Sequence, residues 1–499
     1  MGFQPAVDSY QIFLGGRWNH RREVVAWSAG AELVVRVRVR STATEEKYNN
    51  ASPREAREQY EGSGTRTRWR SYRPFSAVEG RDDITSIKIL KPTESSNHLD
   101  NDLDVMDQII IGTANGDLQL LQIPVDESGS IKTYFVTDGV PVRSTSLSPT
   151  VEGDANSGKL LAANLSDSKL ALYRVDPHES KVAPVSEIDA IPHRRKGCRI
   201  WSTRFLDPRR LVVGLGPSVE PINIFEVRPE GIVREPIRKI SLSGDVDSLE
   251  PVTASSIYPI EALVDANGGT GGGYTFMSGG YDGVIRLHDL RSPSSHETTY
   301  RDPTDDAAVY SLLSRGRDRV IAGTSRHCLL KVFDLRMSGS SQYDYVEAAA
   351  DPHEASSNGD WNIFINPRDK YASSSWRGPN SWMRRSAEGS VYSLSSPSPN
   401  SPFIYAGVEN AVVEFNFSSM RDRHPDPIFS APLKNAIIRR EQPSAYFKNK
   451  QDVLNLAMYS QGSHGAKQAM KLRLQRGVGD LSDQEIALAG LDERWRENH

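Results

Sequence analysis

One short pattern, a serine ahead of an aliphatic residue in an apolar stretch, recurs along this chain and limits its fold more tightly than any other feature. It reads Ile84-Thr85-Ser86-Ile87, Ser144-Thr145-Ser146-Leu147, Ala254-Ser255-Ser256-Ile257, Val309-Tyr310-Ser311-Leu312 and Val391-Tyr392-Ser393-Leu394. Looser copies stand at Ile200-Trp201-Ser202-Thr203 and Ala26-Trp27-Ser28-Ala29. Taken at serines 28, 86, 146, 202, 256, 311 and 393, the spacings are 58, 60, 56, 54, 55 and 82 residues. After each of the last six, a turn leads into a second strand that ends in a bulky side chain: Leu121, Tyr173, Phe225, His288, Phe333 and Phe415. A unit this small cannot bury both of its faces alone, so it must stack on copies of itself.

The clearest second half runs from Ser278 to Arg291. Asp282-Gly283 supplies the positive backbone angles of a tight turn, and Ile285 and Leu287 alternate with Arg286 and His288 at the period of a half-buried strand. The run Ser278-Gly279-x-x-Asp282-Gly283-x-Ile285-x-Leu287-x-Asp289 resembles strands b and c of a WD-repeat blade, with His288 where that family carries Trp. The resemblance implies an all-β fold: a seven-bladed WD-repeat-like β-propeller with a long loop insertion, to which the sequence adds a short C-terminal helix. Repeated serines are then expected to bond neighbouring blades, and the strand-end aromatics to fill the space between them. His288 reads as a hydrogen-bonded core histidine, not a ligand.

Residues 1–22 read as an N-terminal extension and 23–460 as the propeller, with 41–72 a polar loop and 339–390 an insertion that could instead hide an eighth blade. Val35, Val37 and Val39 alternate with Arg36, Arg38 and Arg40, which places them on opposite faces of one strand. Residues 24–39 and 453–459 are the expected partners in a blade shared between the chain ends, which removes an exposed seam. Residues 461–499 form a tail in which Ser482 and Glu485 open a helix over 482–495.

Composition narrows the function classes. No window approaches the ~20 apolar residues of a membrane span, and the chain starts without a basic region and apolar core. Cys198 and Cys328 have no nearby partner in sequence, which points to a reducing compartment, cytoplasmic or nuclear. Net charge is -4, yet residues 1–75 hold 13 Arg or Lys against 8 Asp or Glu, so the basic excess is local.

No phosphate loop, hydrolase motif or metal-ligand spacing occurs; His193 and Cys198 lack the further ligands that zinc requires. The chain therefore reads as a non-enzyme without cofactor or metal. Asp289-Leu290-Arg291 and Asp334-Leu335-Arg336 close the second strand in successive blades. They resemble the Asp-x-Arg box by which some WD-repeat receptors dock on the adaptor of cullin-RING ubiquitin ligases; the bland alternative is ordinary bonding between blades. The resemblance implies an interaction scaffold of the F-box and WD-repeat type, a substrate receptor acting as a monomer within a complex, although no F-box is read ahead of the first strand. The alternative is a nucleic-acid-associated scaffold that binds phosphate through Arg194, Arg195 and Arg199, with Arg209-Arg210 and Arg66, Arg68, Arg70 and Arg73 as further basic clusters.

Overall fold

A computed structural model describes residues 4–13, 21–40, 65–74, 80–91, 106–124, 130–149, 159–191, 197–242, 254–263, 271–302, 305–316, 319–335, 361–365, 389–398, 401, 403–409, 411–417, 454–460, 468–469 and 473–474. Its strands form seven sheets, mostly antiparallel, with the short Lys181–Val182 running parallel to Ile131–Phe135, and the fold is a seven-bladed β-propeller. The chain divides into two compact units, residues 3–256 with 395–398, and residues 257–394 with 399–499. The first carries blades 1 to 4 and the second blades 5 to 7.

The blades share one register. In blade 2, Ser86 on the innermost strand (Ile84–Leu90) faces Gly112 on the second (Asp107–Thr113), and Ile109, three residues before that glycine, faces Leu121 on the third (Leu118–Ile123). The same step pairs Leu161 with Tyr173, Leu211 with Phe225, Phe276 with His288, Val320 with Phe333 and Ile404 with Phe415. All six third-strand residues are buried. They pack into clusters that join consecutive blades, Tyr173 between blades 2 and 3 and Phe333 between blades 5 and 6.

Glycines on the second strand let blades 2, 5 and 6 approach the blade that follows. A Cβ on Gly112 would meet Val142 Cγ1 of blade 3 at 2.5 Å and Ser86 Oγ at 2.6 Å. A Cβ on Gly279 would meet Val309 Cγ1 of blade 6 at 2.5 Å, and one on Gly323 would meet Val391 Cγ1 of blade 7 at 2.6 Å. A carbonyl at the start of the inner strand is also captured by the preceding blade in blades 3, 4 and 7. Thr85 Oγ1 donates to Val142 O at 2.6 Å, Asn164 Nδ2 to Ile200 O at 3.2 Å, and Ser311 Oγ to Val391 O at 2.9 Å.

This register corrects the repeat in three places. A β-bulge interrupts the inner strand just before the serine, between Ile84 and Ser86, Ile200 and Ser202, and Val309 and Ser311. In blade 3 the equivalent serine is Ser144, opposite Asn164, while Ser146 lies one step further and accepts the Phe205 N–H at 3.0 Å. In blade 5 the equivalent place belongs to Pro259, whose ring lies 2.8 Å from a Cβ on Gly279, and Ser256 precedes the strand Ile257–Ala262. Ser28 sits at the end of a second strand, where its Oγ accepts the Ala6 N–H at 2.9 Å. Positions 86, 144, 202, 259, 311 and 393 are spaced 58, 58, 57, 52 and 82 residues, nearly constant over the first three steps.

The N-terminal residues read as an extension contain Val7–Phe13, the innermost strand of blade 1, and the stretch read as a loop contains Thr65–Tyr72, its outermost strand. Blade 1 is thus built wholly from Val7–Phe13, Arg21–Ala29, Glu32–Arg40 and Thr65–Tyr72. Leu454–Ser460 pairs with Ala411–Phe417 in blade 7, not with residues 24–39, so no blade is shared in the expected way. The extra chain before blade 7 supplies Trp361–Phe364, which pairs with Leu329–Asp334 as an outer strand of blade 6, and no eighth blade arises among the described residues. The helix expected over 482–495 lies outside the described residues.

Alternation in blade 1 holds, and on its arginine face Arg36 is buried. Arg36 is 2% exposed and bonds Glu23 at 3.2 Å, while Arg38 bonds the same carboxylate at 2.6 Å. Trp69 lies over Arg36, with the guanidinium carbon 5.8 Å from the ring centroid. On the opposite face Arg22 reaches blade 2, donating to Asp107 at 2.9 and 2.6 Å and to the Tyr10 hydroxyl at 2.7 Å. Burying those charges is tolerated because each is matched by an opposite charge and hydrogen bonds.

Candidate functional site

In blades 2 to 6 a register shift sets one inner-strand residue off the ladder, and a bulge turns its side chain away from it. That position holds Thr85 in blade 2, Arg143 in blade 3, Trp201 in blade 4, and Tyr258 and Tyr310 in blades 5 and 6; Tyr392 stands at the matching place of the repeated Val-Tyr-Ser-Leu in blade 7. In the first unit Arg143 lies 3.5 Å from Asp167, and the Arg199 guanidinium stacks 3.7 Å from the centroid of Trp201.

Within the second unit the three tyrosines meet. Tyr258 and Tyr310 stand edge to face at 5.1 Å, and Tyr310 and Tyr392 stack at 6.3 Å. Tyr281, from the turn between the second and third strands of blade 5, joins at 6.5 Å from Tyr258 and is 62% exposed. Loops on this end are tied together. The Gly283 turn packs on Asp306 and Ala307, Ser325 N–H donates to Ala308 O at 2.8 Å, and Cys328 N–H donates to Gly389 O at 2.6 Å. Buried anchors hold them from below, with Lys331 Nζ 2.9 Å from Asp305 and 3.6 Å from Asp302. The result is an aromatic surface on a rigid base. In the repeated Val-Tyr-Ser-Leu the serine marks the repeat, and the tyrosine beside it is the sequence signal for this site.

The Asp-x-Arg residues fare differently. Asp289 accepts the Arg291 backbone N–H and Nε–H, each at 2.9 Å, and Nη2–H at 2.7 Å. Arg291 is 64% exposed and lies 5.6 Å from the Tyr274 centroid, and the Asp289 bond with its charge raises the guanidinium pKa. Asp334 is fully buried against Arg319, 3.2 Å away and directly opposite in register, and Arg336 lies outside the described residues. The two boxes are therefore not equivalent: the first is a surface pair, and the carboxylate of the second is occupied inside its blade.

Arg194 and Arg195 lie outside the described residues. Arg210 pairs with Asp207 at 2.7 Å, and Arg70 donates to Pro124 O, so these bases serve local structure. His288 is a core histidine as read: its Nε2 lies 2.8 Å from Ser278 Oγ and its Nδ1 2.7 Å from Ser295 O, and it stacks on Phe276 at 4.6 Å. Among the described residues no group of three His, Cys, Asp or Glu side chains could hold a metal ion, and no helix is long and apolar enough to cross a membrane.

No family model matches the chain, and no curated protein does. Among solved structures it is similar to the crystal structure of Raptor from Chaetomium thermophilum, at 14% identity and a TM-score of 0.45. That match covers 85% of this chain and 29% of the Raptor chain, so the chain spans less than a third of that protein's length.

Proposed function

We propose that this chain is a non-catalytic protein-interaction scaffold of the cytosol or nucleus. The observation that carries the reading is the cluster of Tyr258, Tyr281, Tyr310 and Tyr392, gathered on one end of three consecutive blades. Tyrosine offers a large, rigid contact area with a polar tip and loses little rotamer freedom when a partner docks, which is why it is enriched where binding energy concentrates. A platform already tied together by loop-to-loop hydrogen bonds adds little ordering cost. Photocrosslinking from position 281, in wild type and with Tyr310→Ala, tests it. Protein adducts that depend on Tyr310 support the reading; adducts that are absent, or unaffected by the substitution, reject it.

The finer proposal is a substrate receptor of a cullin-RING ubiquitin ligase. Its support is the exposed, bidentate Asp289–Arg291 pair. Purification with the ligase adaptor from cells should be lost with Arg291→Ala. Equal recovery with both chains sinks the docking role, and no ligase subunit with either sinks the ubiquitin reading.

A further inference from the structure

We infer that the tyrosine surface of blades 5 to 7 docks a basic, extended segment of a protein partner; this rests on the scaffold reading and names the chemistry of what it holds. Aromatic faces carry negative potential and attract ammonium and guanidinium groups. Here the rings are edged by carboxylates. Asp282 follows Tyr281 in the turn, and Asp306, 75% exposed, contributes the backbone on which that turn packs, 3.2 Å from a Cβ on Gly283. Glu409 borders Gly389, at 3.7 Å from its Cβ position, just ahead of the strand that carries Tyr392.

Opposing charge is limited. Arg286 pairs with Asp282 at 2.7 Å but its side chain is buried beneath, and Arg326 approaches Asp306 only to 3.7 Å. The rim thus carries the exposed Asp282, Asp306 and Glu409 against the buried Arg286 and the half-buried Arg326, and of the rings Tyr281 is exposed while Tyr258, Tyr310 and Tyr392 are half-buried. The rings also close on one another, at 5.1 to 6.5 Å between centroids, which leaves no slot for a planar base to enter. Cationic side chains can instead rest on the outer faces while the rim carboxylates pair with their neighbours along the segment. Phosphate-bearing or acidic ligands meet repulsion from the same rim, and a neutral segment leaves those carboxylates unused.

Fluorescence anisotropy on the full-length chain tests this with three labelled peptides of equal length, in which glycine alternates with arginine and lysine, with glutamate, or with serine. The basic peptide should bind at least about tenfold tighter than the serine peptide, and the glutamate peptide should not bind. Tyr281→Ala changes no charge and removes an exposed ring that folding does not need; it should weaken the basic peptide by about fivefold. Asp306→Asn keeps every ring and should weaken the same peptide and flatten its salt dependence. Equal binding by wild type and Tyr281→Ala overturns the inference, since the attraction is then diffuse charge. Equal binding of basic and serine peptides overturns it too. If photocrosslinked partners still depend on Tyr310 in that event, the basic-segment inference fails alone; if they do not, the scaffold reading falls with it.

Discussion

The buried pair Arg22–Asp107 offers the sharpest test of how blades 1 and 2 are joined. Its two hydrogen bonds, at 2.9 and 2.6 Å, are inaccessible to water, and Tyr10 closes the triangle by donating to Asp107 at 2.8 Å. Burial acts first on both partners of Asp107. It pushes the Tyr10 phenol pKa up, aided by the carboxylate; it would lower that of Arg22, but Asp107 and Tyr10 outweigh it and leave the guanidinium more firmly protonated than usual. Asp107→Leu therefore strands a full positive charge in the interior. Removing one partner of a buried pair typically costs about 3–5 kcal/mol, whereas replacing both by apolar groups of similar volume is often neutral or better. Arg22→Met should cost a similar amount, and the double variant should be more stable than either single one.

Urea unfolding followed by tryptophan fluorescence measures this, and hydrogen exchange places it in the strands Val7–Phe13, Arg21–Ala29 and Asp107–Thr113. With a slope of about 3 kcal/mol per molar urea, each single substitution should lower the relevant midpoint by about 1 M or more. If the double variant loses the sum of the two single effects, the residues are not coupled and the account of this join is wrong.

Further outcomes follow from other buried groups. Cys328 is buried, and burial foremost pushes its thiol pKa up to about 12, whereas Cys198 is half-buried. A thiol reagent should titrate Cys198 alone in the native chain and both residues in urea, because the thiolate is the reactive form. Lys331→Met removes the cation from the buried carboxylates Asp302 and Asp305 and should destabilise the second unit by about 3 kcal/mol near neutral pH. Thermal melts of the two chains at neutral pH read that deficit, and an unchanged melting temperature would show that the buried carboxylates do not need the cation.

What the sequence made legible is what local periodicity encodes. Asp282-Gly283 with Ile285 and Leu287 announces a hairpin because turn and alternation sit within a dozen residues, and the bulky residues from Leu121 to Phe415 fall where the register puts them. The choice between Ser144 and Ser146 was hidden, since residues two apart share a strand face and only the bulge next to Arg143 decides between them. Pro259 escaped because it has no hydroxyl, although it fills the same space beside Gly279. Thr65–Tyr72 looked like a loop because an outermost strand buries little and needs few apolar residues. The burial of Arg36 was not legible because its partner Glu23 belongs to a neighbouring strand and Trp69 lies further still along the chain. Contacts made across strands leave no periodic trace.

The same comparison separates positions that build the propeller from one that is free to bind. Glycine or a small substitute recurs opposite the inner serine, and a bulky residue recurs on the third strand, because adjacent blades touch there. The bulge position between them, with its match in blade 7, varies from Thr85 and Arg143 to Trp201 and three tyrosines, so packing does not dictate its identity. The two classes should respond oppositely to substitution. Gly323→Val drives a branched side chain into Val391, 2.6 Å from the first added carbon, and overpacking of this kind costs about 1–3 kcal/mol. Tyr310→Thr installs the residue that blade 2 already uses at that place and should change stability by less than about 1 kcal/mol while impairing partner capture. Should Tyr310→Thr unfold the chain as readily as Gly323→Val, the tyrosines are core residues that happen to reach the surface, and the binding surface argued from them does not exist.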